Sequence, residues 1–206
     1  MTRWQCLVTD RRRLCPGNAD FEIGRQRLAA QARWAVEAGI GLIQVRERDL
    51  EAAQLATVVH DFVRLSRGSG TRIVVNDRVD VALACGAHGV HLRHDSVAAA
   101  AVRTITPSGF LIGRSVHARD DAVQAGPVDY LIAGPVFPTL SKAGAPALLG
   151  LDGLTEIVRV AAVPVLGIGG ITPGHLAAVA ATGAAGIAGI GLFIDAFARG
   201  MAIAEL

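Results

Sequence analysis

Eight times along this chain a short apolar run gives way, across a Gly or Pro break, to an alanine-rich stretch of helical pattern. The runs are Gln5–Thr9, Leu42–Val45, Arg72–Val75, Gly89–Leu92, Leu111–Ser115, Tyr130–Ala133, Val163–Ile168 and Gly186–Ile190. Between them lie Gly24–Ala38, Leu50–Arg67, Val79–Cys85, Val97–Thr104, Arg119–Ala125, Leu154–Val160, Pro173–Ala181 and a tail from Phe193. Strands that are apolar throughout, rather than alternating, belong to a parallel sheet covered on both faces. Leu55, Val58, Val59, Phe62 and Leu65 recur at three- and four-residue steps, which gives one helix face to lay against such a sheet. Eight βα pairs in 206 residues predict a single (β/α)8 TIM barrel over residues 1–206. The rival, a doubly wound open sheet, normally carries a Gly-rich dinucleotide turn after its first strand. Here that strand runs into Thr9-Asp10-Arg11-Arg12.

Composition narrows the function. With 51% hydrophobic and 18% charged residues the chain can bury a sizeable core, which excludes disorder. A net charge of +2 without a basic stripe predicts no nucleic-acid partner, and Arg11-Arg12-Arg13 reads as a solvated loop. Cys6, Cys15 and Cys85 form an odd set without CxxC spacing, and the start Met-Thr-Arg-Trp lacks an apolar leader core. These features predict a cytoplasmic protein. Val160–Ile194 contains no charged residue, yet Pro164, Pro173 and eight glycines break it, so it reads as barrel wall and not as a membrane span.

Polar residues gather where strands end, the position at which a barrel carries its chemistry. Gln44, Arg46 and Arg48 follow the second strand, Asn76 and Asp77 the third, and Ser115 and His117 the fifth. Thr139, Ser141 and Lys142 lie in the long Gly/Pro-rich loop 134–150, a lid or binding loop by its length. Gly169-Gly170 and Gly189-Ile190-Gly191 close the last two strands, and their bare backbone N–H groups suit a phosphate; the alternative is glycines that merely turn a crowded chain. Arg46 and Arg48, two residues apart, could grip a carboxylate or phosphate or else pair with Glu47 and Asp49. Asp77 reads equally as a cation ligand and as the N-cap of the next helix. His117 suits proton transfer or a structural role. His60 and His175 read as helix-surface residues, and His88, His91 and His94 fit no standard metal spacing.

VVNDRVDVALACGAHGVHL, LIGRSVHARDDAVQA, YLIAGPVFPTLSK and PVLGIGGITP, in this order, resemble the thiamine phosphate synthase/TenI superfamily over nearly the whole chain. The resemblance implies a (β/α)8 barrel, a homodimer, and a small-molecule thiazole phosphate held by the glycines of the last two strands. In the synthases, residues similar to Gln44, Arg46, Asn76, Asp77, Ser115, Thr139, Ser141 and Lys142 hold a pyrimidine pyrophosphate and magnesium, with Asp77 a metal ligand. Two departures weigh against that branch. The pattern His-x-Gly-Gln-x-Asp reads His91-Leu92-Arg93-His94-Asp95-Ser96, so Ser96 stands at a ligand position and Asp95, one residue early, points away on an extended chain. Arg-x-Lys reads Arg46-Glu47-Arg48. RER and GRSVH resemble the TenI-type tautomerases instead.

The leading expectation is therefore a metal-independent thiazole tautomerase that needs no cofactor, with His117 as acid/base and Arg46 or Arg48 on the substrate carboxylate. The alternative is thiamine phosphate synthase with Mg²⁺. A second alternative is a non-catalytic thiazole-phosphate binding protein.

Overall fold

The computed structural model describes residues 4–17, 20–139 and 148–202. Eight strands close into a barrel in sequence order: β1 (Trp4–Val8), β2 (Leu42–Val45), β3 (Arg72–Asn76), β4 (Gly89–Leu92), β5 (Leu111–Val116), β6 (Tyr130–Ala133), β7 (Val165–Ile168) and β8 (Gly186–Gly189). The helices are α1 (Arg11–Leu14), α2 (Phe21–Glu37), α3 (Ala52–Ser66), α4 (Val79–Ala84), α5 (Ala99–Ile105), α6 (Arg119–Val123), α7 (Gly150–Val160), α8 (Leu176–Ala181) and α9 (Gly191–Arg199). The (β/α)8 barrel is the predicted fold. Its contacts divide the chain into two compact units, residues 6–90 with 190–206 and residues 1–5 with 91–189.

In the first unit β2 lies between β1 and β3 in parallel register, with Ile43 opposite Leu7 and Ile73. All four β2 residues are buried, as a strand covered on both faces requires. The predicted stripe of α3 buries Leu55, Val58, Val59 and Phe62, and α2 answers with Leu28, Ala32 and Ala35. Arg25 pairs with Asp61 from α2 to α3, while Trp34 donates to the Met201 carbonyl (3.2 Å) and meets the Phe197 ring of α9. Helix α2 starts at Phe21, ahead of the predicted Gly24, because the Asp20 carboxylate accepts the Ile23 N–H (2.9 Å) and caps it. Arg11–Arg13 form the helical turn α1 where a loop was expected, with Arg12 and Arg13 exposed as expected, and Asp10 caps it by accepting the Arg13 N–H.

In the second unit β5, β6 and β7 run parallel, with Ser115 opposite Ile132 and Ile132 opposite Leu166. Leu131, Ile132, Leu154, Ile157 and Leu166 fill its core. Strand β7 starts at Val165, later than predicted, since Pro164 has no N–H to offer; its carbonyl still accepts the Leu131 N–H (2.9 Å). The single helix expected over Pro173–Ala181 divides into a 3₁₀ turn, Pro173–His175, and α8. Among the described residues no helix is long and apolar enough to cross a membrane.

The cap predicts its own test. Asp20→Ala leaves the Ile23 N–H without its acceptor, and denaturant unfolding is expected to show a loss of about 1 kcal/mol. An unchanged midpoint would mean that packing alone fixes the start of α2.

Candidate functional site

In the first unit, apolar strands give way to polar groups at their ends. Gln44, 3% exposed, donates from Nε2 to Asn76 Oδ1 (3.0 Å), so two of the predicted binding residues meet directly. The Gln44 carbonyl takes the Thr9 N–H (3.0 Å), and the Thr9 hydroxyl takes the Arg46 N–H (2.9 Å). The end of β2 is thereby tied to the ends of both neighbouring strands. Asp77 follows Asn76 with φ +59°, the one non-glycine in the left-handed region among the described residues. Such a conformation costs roughly 1–2 kcal/mol, and Asp and Asn tolerate it best. Asp77 is not the helix cap. Arg78 occupies that position, its guanidinium paired with Asp80 (2.7 Å).

The Arg46–Asp49 segment lines a cavity of about 220 Å³ together with Asp10 and Arg12. Where pairing with Arg46 and Arg48 was the alternative, Glu47 and Asp49 are held by the α1 arginines. Both Glu47 oxygens accept the Arg11 N–H (3.1 Å each), and Asp49 takes the Arg11 guanidinium in bidentate fashion and Arg12 Nε (2.8 Å). Burial pushes the Glu47 carboxyl up, against hydrogen bonds from Thr9 and Arg11. The Arg11 guanidinium beside Asp49 holds that carboxyl down to about 2. Arg46, half-buried, and Arg48, exposed, both face the cavity. Arg12 joins them there, which its place in a run of three arginines did not reveal.

In the second unit the stretch after β4 is a turn, not an extended chain. Ser96 Oγ accepts the Arg93 N–H (2.9 Å), and the Arg114 guanidinium holds the carbonyls of His94, Ser96 and Val97. Asp95 pairs with Arg93 at the surface, so the turn and this ion pair direct it outward, where strand alternation was the expected cause. His117 donates from Nδ1 to the Gly134 carbonyl, since a carbonyl only accepts; Nε2 is the nitrogen left to exchange a proton. Its backbone N–H goes to Asp121 (2.8 Å), and its ring meets His94 edge-on. Ser115 Oγ lies 2.9 Å from Nε2 of His91, a fully buried histidine.

His88, in the first unit, accepts the Ile73 N–H (2.9 Å), and His175 stacks on Phe137 with ring centroids 4.0 Å apart. Among the described residues no three His, Cys, Asp or Glu side chains gather as a metal site.

The crowded-chain account of Gly169-Gly170 has a specific cause. Both have positive φ (98° and 63°), and a Cβ would fall 2.7 Å from Pro135 Cβ and 2.4 Å from the Pro138 carbonyl respectively. The chain after β6 lies on them, through Val136 N–H to Ile168 O and Phe137 N–H to Gly169 O. Thr139 ends that described segment, while Ser141, Lys142 and most of the expected lid lie outside the described residues. Gly189 ends β8, Ile190 caps α9, and Gly191 opens it. A Cβ on Gly191 would sit 2.9 Å from the Arg13 guanidinium, which brings a second unforeseen arginine to a predicted phosphate turn.

The carboxylates fix a pH dependence. The depressed Asp49 value stabilises the fold above its ordinary pKa of 3.8, and that contribution disappears as pH falls through about 2. Asp49→Asn is expected to melt below wild type at neutral pH, with the gap closing between about pH 4 and about pH 2. A gap independent of pH would show that the ion pair does not supply the stability.

The family model for thiamine monophosphate synthase matches residues 8–193. A thiamine-phosphate synthase of Methanoregula boonei is 40% identical over 163 residues, 78% of this chain and 76% of the relative. One from Solidesulfovibrio magneticus is 44% identical over 161 residues, 77% of this chain and 72% of the relative. Among solved structures, thiamine phosphate pyrophosphorylase from Pyrococcus furiosus superposes with a TM-score of 0.81 at 31% identity, covering 98% of this chain and 94% of that one. These relatives bear the synthase's name and not the tautomerase's, so the comparisons favour the alternative over the leading expectation. The chain belongs to the thiamine monophosphate synthase family.

Proposed function

We propose that this chain is a thiamine-phosphate synthase, which joins a pyrimidine pyrophosphate to a thiazole phosphate. The observation that carries the reading is the Gln44–Asn76 hydrogen bond at the ends of β2 and β3, next to Asp77 held in a strained conformation. Strain of this kind persists where the surroundings impose it, and it collects at ligand sites. The names of the relatives support the same branch.

In the reaction the bond from the pyrimidine methylene carbon to the pyrophosphate oxygen breaks, and its electron pair leaves on that oxygen. The thiazole nitrogen lone pair forms the new carbon–nitrogen bond. The departing charge needs cations aimed at it. Arg46 and Arg48 provide guanidinium groups suited to bidentate phosphate contact. Asp77 would hold a magnesium ion through its carboxylate, the ion keeping its other ligands from substrate phosphate and water. Ser96, at the second ligand position of the family pattern, offers only a hydroxyl, and Asp95 is engaged by Arg93. When bound, the ion neutralises charge on the leaving pyrophosphate.

Gln44 and Asn76 orient the pyrimidine end of the substrate. The family resemblance assigns Ser115, Thr139, Ser141 and Lys142 polar substrate contacts of their own. The turns Gly169-Gly170 and Gly189-Ile190-Gly191 each offer backbone N–H donors for phosphate, and Arg13 adds charge beside Gly191.

One observation favours the tautomerase as a second reading. His117 spends its Nδ1 proton on a carbonyl and keeps Nε2 for exchange, the arrangement an acid/base residue needs.

Purified protein given both substrates is expected to form thiamine phosphate with Mg²⁺ and none with a chelator. Asp77→Asn, which tolerates the same backbone conformation, should keep its melting temperature and lose about 100-fold in turnover. Product without magnesium, or an unimpaired Asp77→Asn, would contradict the assignment.

A further inference from the structure

We propose that Tyr130, His91 and Ser115 form a hydrogen-bonded relay, in which Tyr130 and His91 are positioning residues that set the direction of the Ser115 hydroxyl. The proposal rests on the reading of Ser115 as a substrate-binding residue. Its geometry lies within one compact unit.

Tyr130 opens β6 and His91 lies on β4; both are buried, at 0% and 1% exposure. Between them runs β5, with Gly113 opposite Tyr130 and Ser115 opposite Ile132. Residues two apart on a strand share a face, so Gly113 and Ser115 lie on the same side of β5. A Cβ on Gly113 would fall 2.1 Å from Tyr130 Cζ and 2.4 Å from its hydroxyl oxygen. The missing side chain is therefore the gap through which the tyrosine ring crosses β5 to reach β4. Beyond that gap the phenol oxygen lies 3.1 Å from His91 Nδ1, and His91 Nε2 lies 2.9 Å from Ser115 Oγ. The Trp4 ring packs 6.2 Å from the tyrosine ring.

The chemistry gives the relay a direction. A neutral imidazole has one N–H donor and one acceptor nitrogen, and its partners decide which is which. If Tyr130 O–H donates to Nδ1, the proton resides on Nε2, and Nε2–H donates into Ser115 Oγ. The serine then keeps its own proton for an acceptor-only ligand such as a pyrophosphate oxygen. In the reverse polarity Ser115 spends its proton on His91 and turns lone pairs toward an anion, which repels it. Recognition of an anionic substrate selects the first arrangement. Gly-x-Ser in LIGRSVH, the buried histidine of GVHL and the tyrosine after Asp129 are then parts of one device. Low dielectric strengthens such a chain of hydrogen bonds when every member is satisfied.

Tyr130→Phe removes one hydroxyl and keeps the ring over Gly113. ¹⁵N NMR of His91 is expected to show the neutral Nε2–H tautomer in wild type, with the Nδ1 resonance moved by Tyr130→Phe and the Nε2 resonance by Ser115→Ala. In the synthase assay Tyr130→Phe should lower kcat about tenfold without changing KM for the thiazole phosphate, and should cost nothing more in a Ser115→Ala background. An Nδ1–H tautomer, a charged imidazolium, or additive losses in the double variant would overturn the relay. The NMR arm needs no turnover, so absence of synthase activity overturns the proposed function while the tautomer still decides the relay.

Discussion

A parallel strand covered on both faces has nowhere to put a polar side chain until it ends, and this constraint arranges the rest of the molecule. β2, β4 and β6 are buried along their whole length. Unpaired polar groups in such surroundings cost kilocalories, so chemistry is driven to the strand ends or into matched pairs. Gln44 at the end of β2 meets Asn76, and His91 within β4 meets Tyr130 and Ser115. Among the described residues no buried side-chain nitrogen or oxygen lacks a hydrogen-bond partner.

What periodicity and strand chemistry encode could be read directly. The eight strands, the apolar face of α3 and the placement of Gln44, Asn76 and His117 at strand ends all follow from local pattern. What depends on groups far apart in sequence could not. Glu47 looks like a surface partner for its neighbours, yet it is buried against the Arg11 backbone N–H, 36 residues away. Arg12 and Arg13 are exposed, as solvated charge should be, but only the helical turn α1 shows that one borders the Arg46 cavity and the other Gly191. Gly113 lies inside a predicted strand with no local reason to be a glycine, and the ring of Tyr130 explains it. Asp77 satisfies the local rule for a helix cap, but its left-handed backbone makes it something else.

The same distinction bears on the two branches of the family. RER and GRSVH, as isolated short motifs, resemble the tautomerases. In the structure Glu47 of RER accepts the Arg11 N–H and so holds α1, while Gly113 of GRSVH makes room for Tyr130 and Ser115 meets the buried His91. Glu47 and Gly113 are then explained by support of neighbouring groups and do not discriminate between activities. Two departures from the synthase pattern remain, Ser96 at a ligand position and Arg48 in place of Lys. On the proposed function, the arginines and a cation held at Asp77 would meet the leaving charge.

The central claim is that this barrel forms a carbon–nitrogen bond and does not move a proton on a thiazole. It is tested most directly by measuring kcat/KM for both reactions on one preparation of the protein. One arm follows coupling of pyrimidine pyrophosphate to thiazole phosphate, and the other follows aromatisation of the carboxythiazole phosphate tautomer. The account predicts magnesium-dependent coupling, with aromatisation no faster than in buffer. Efficient aromatisation without coupling would contradict it and return His117 to the centre of the chemistry.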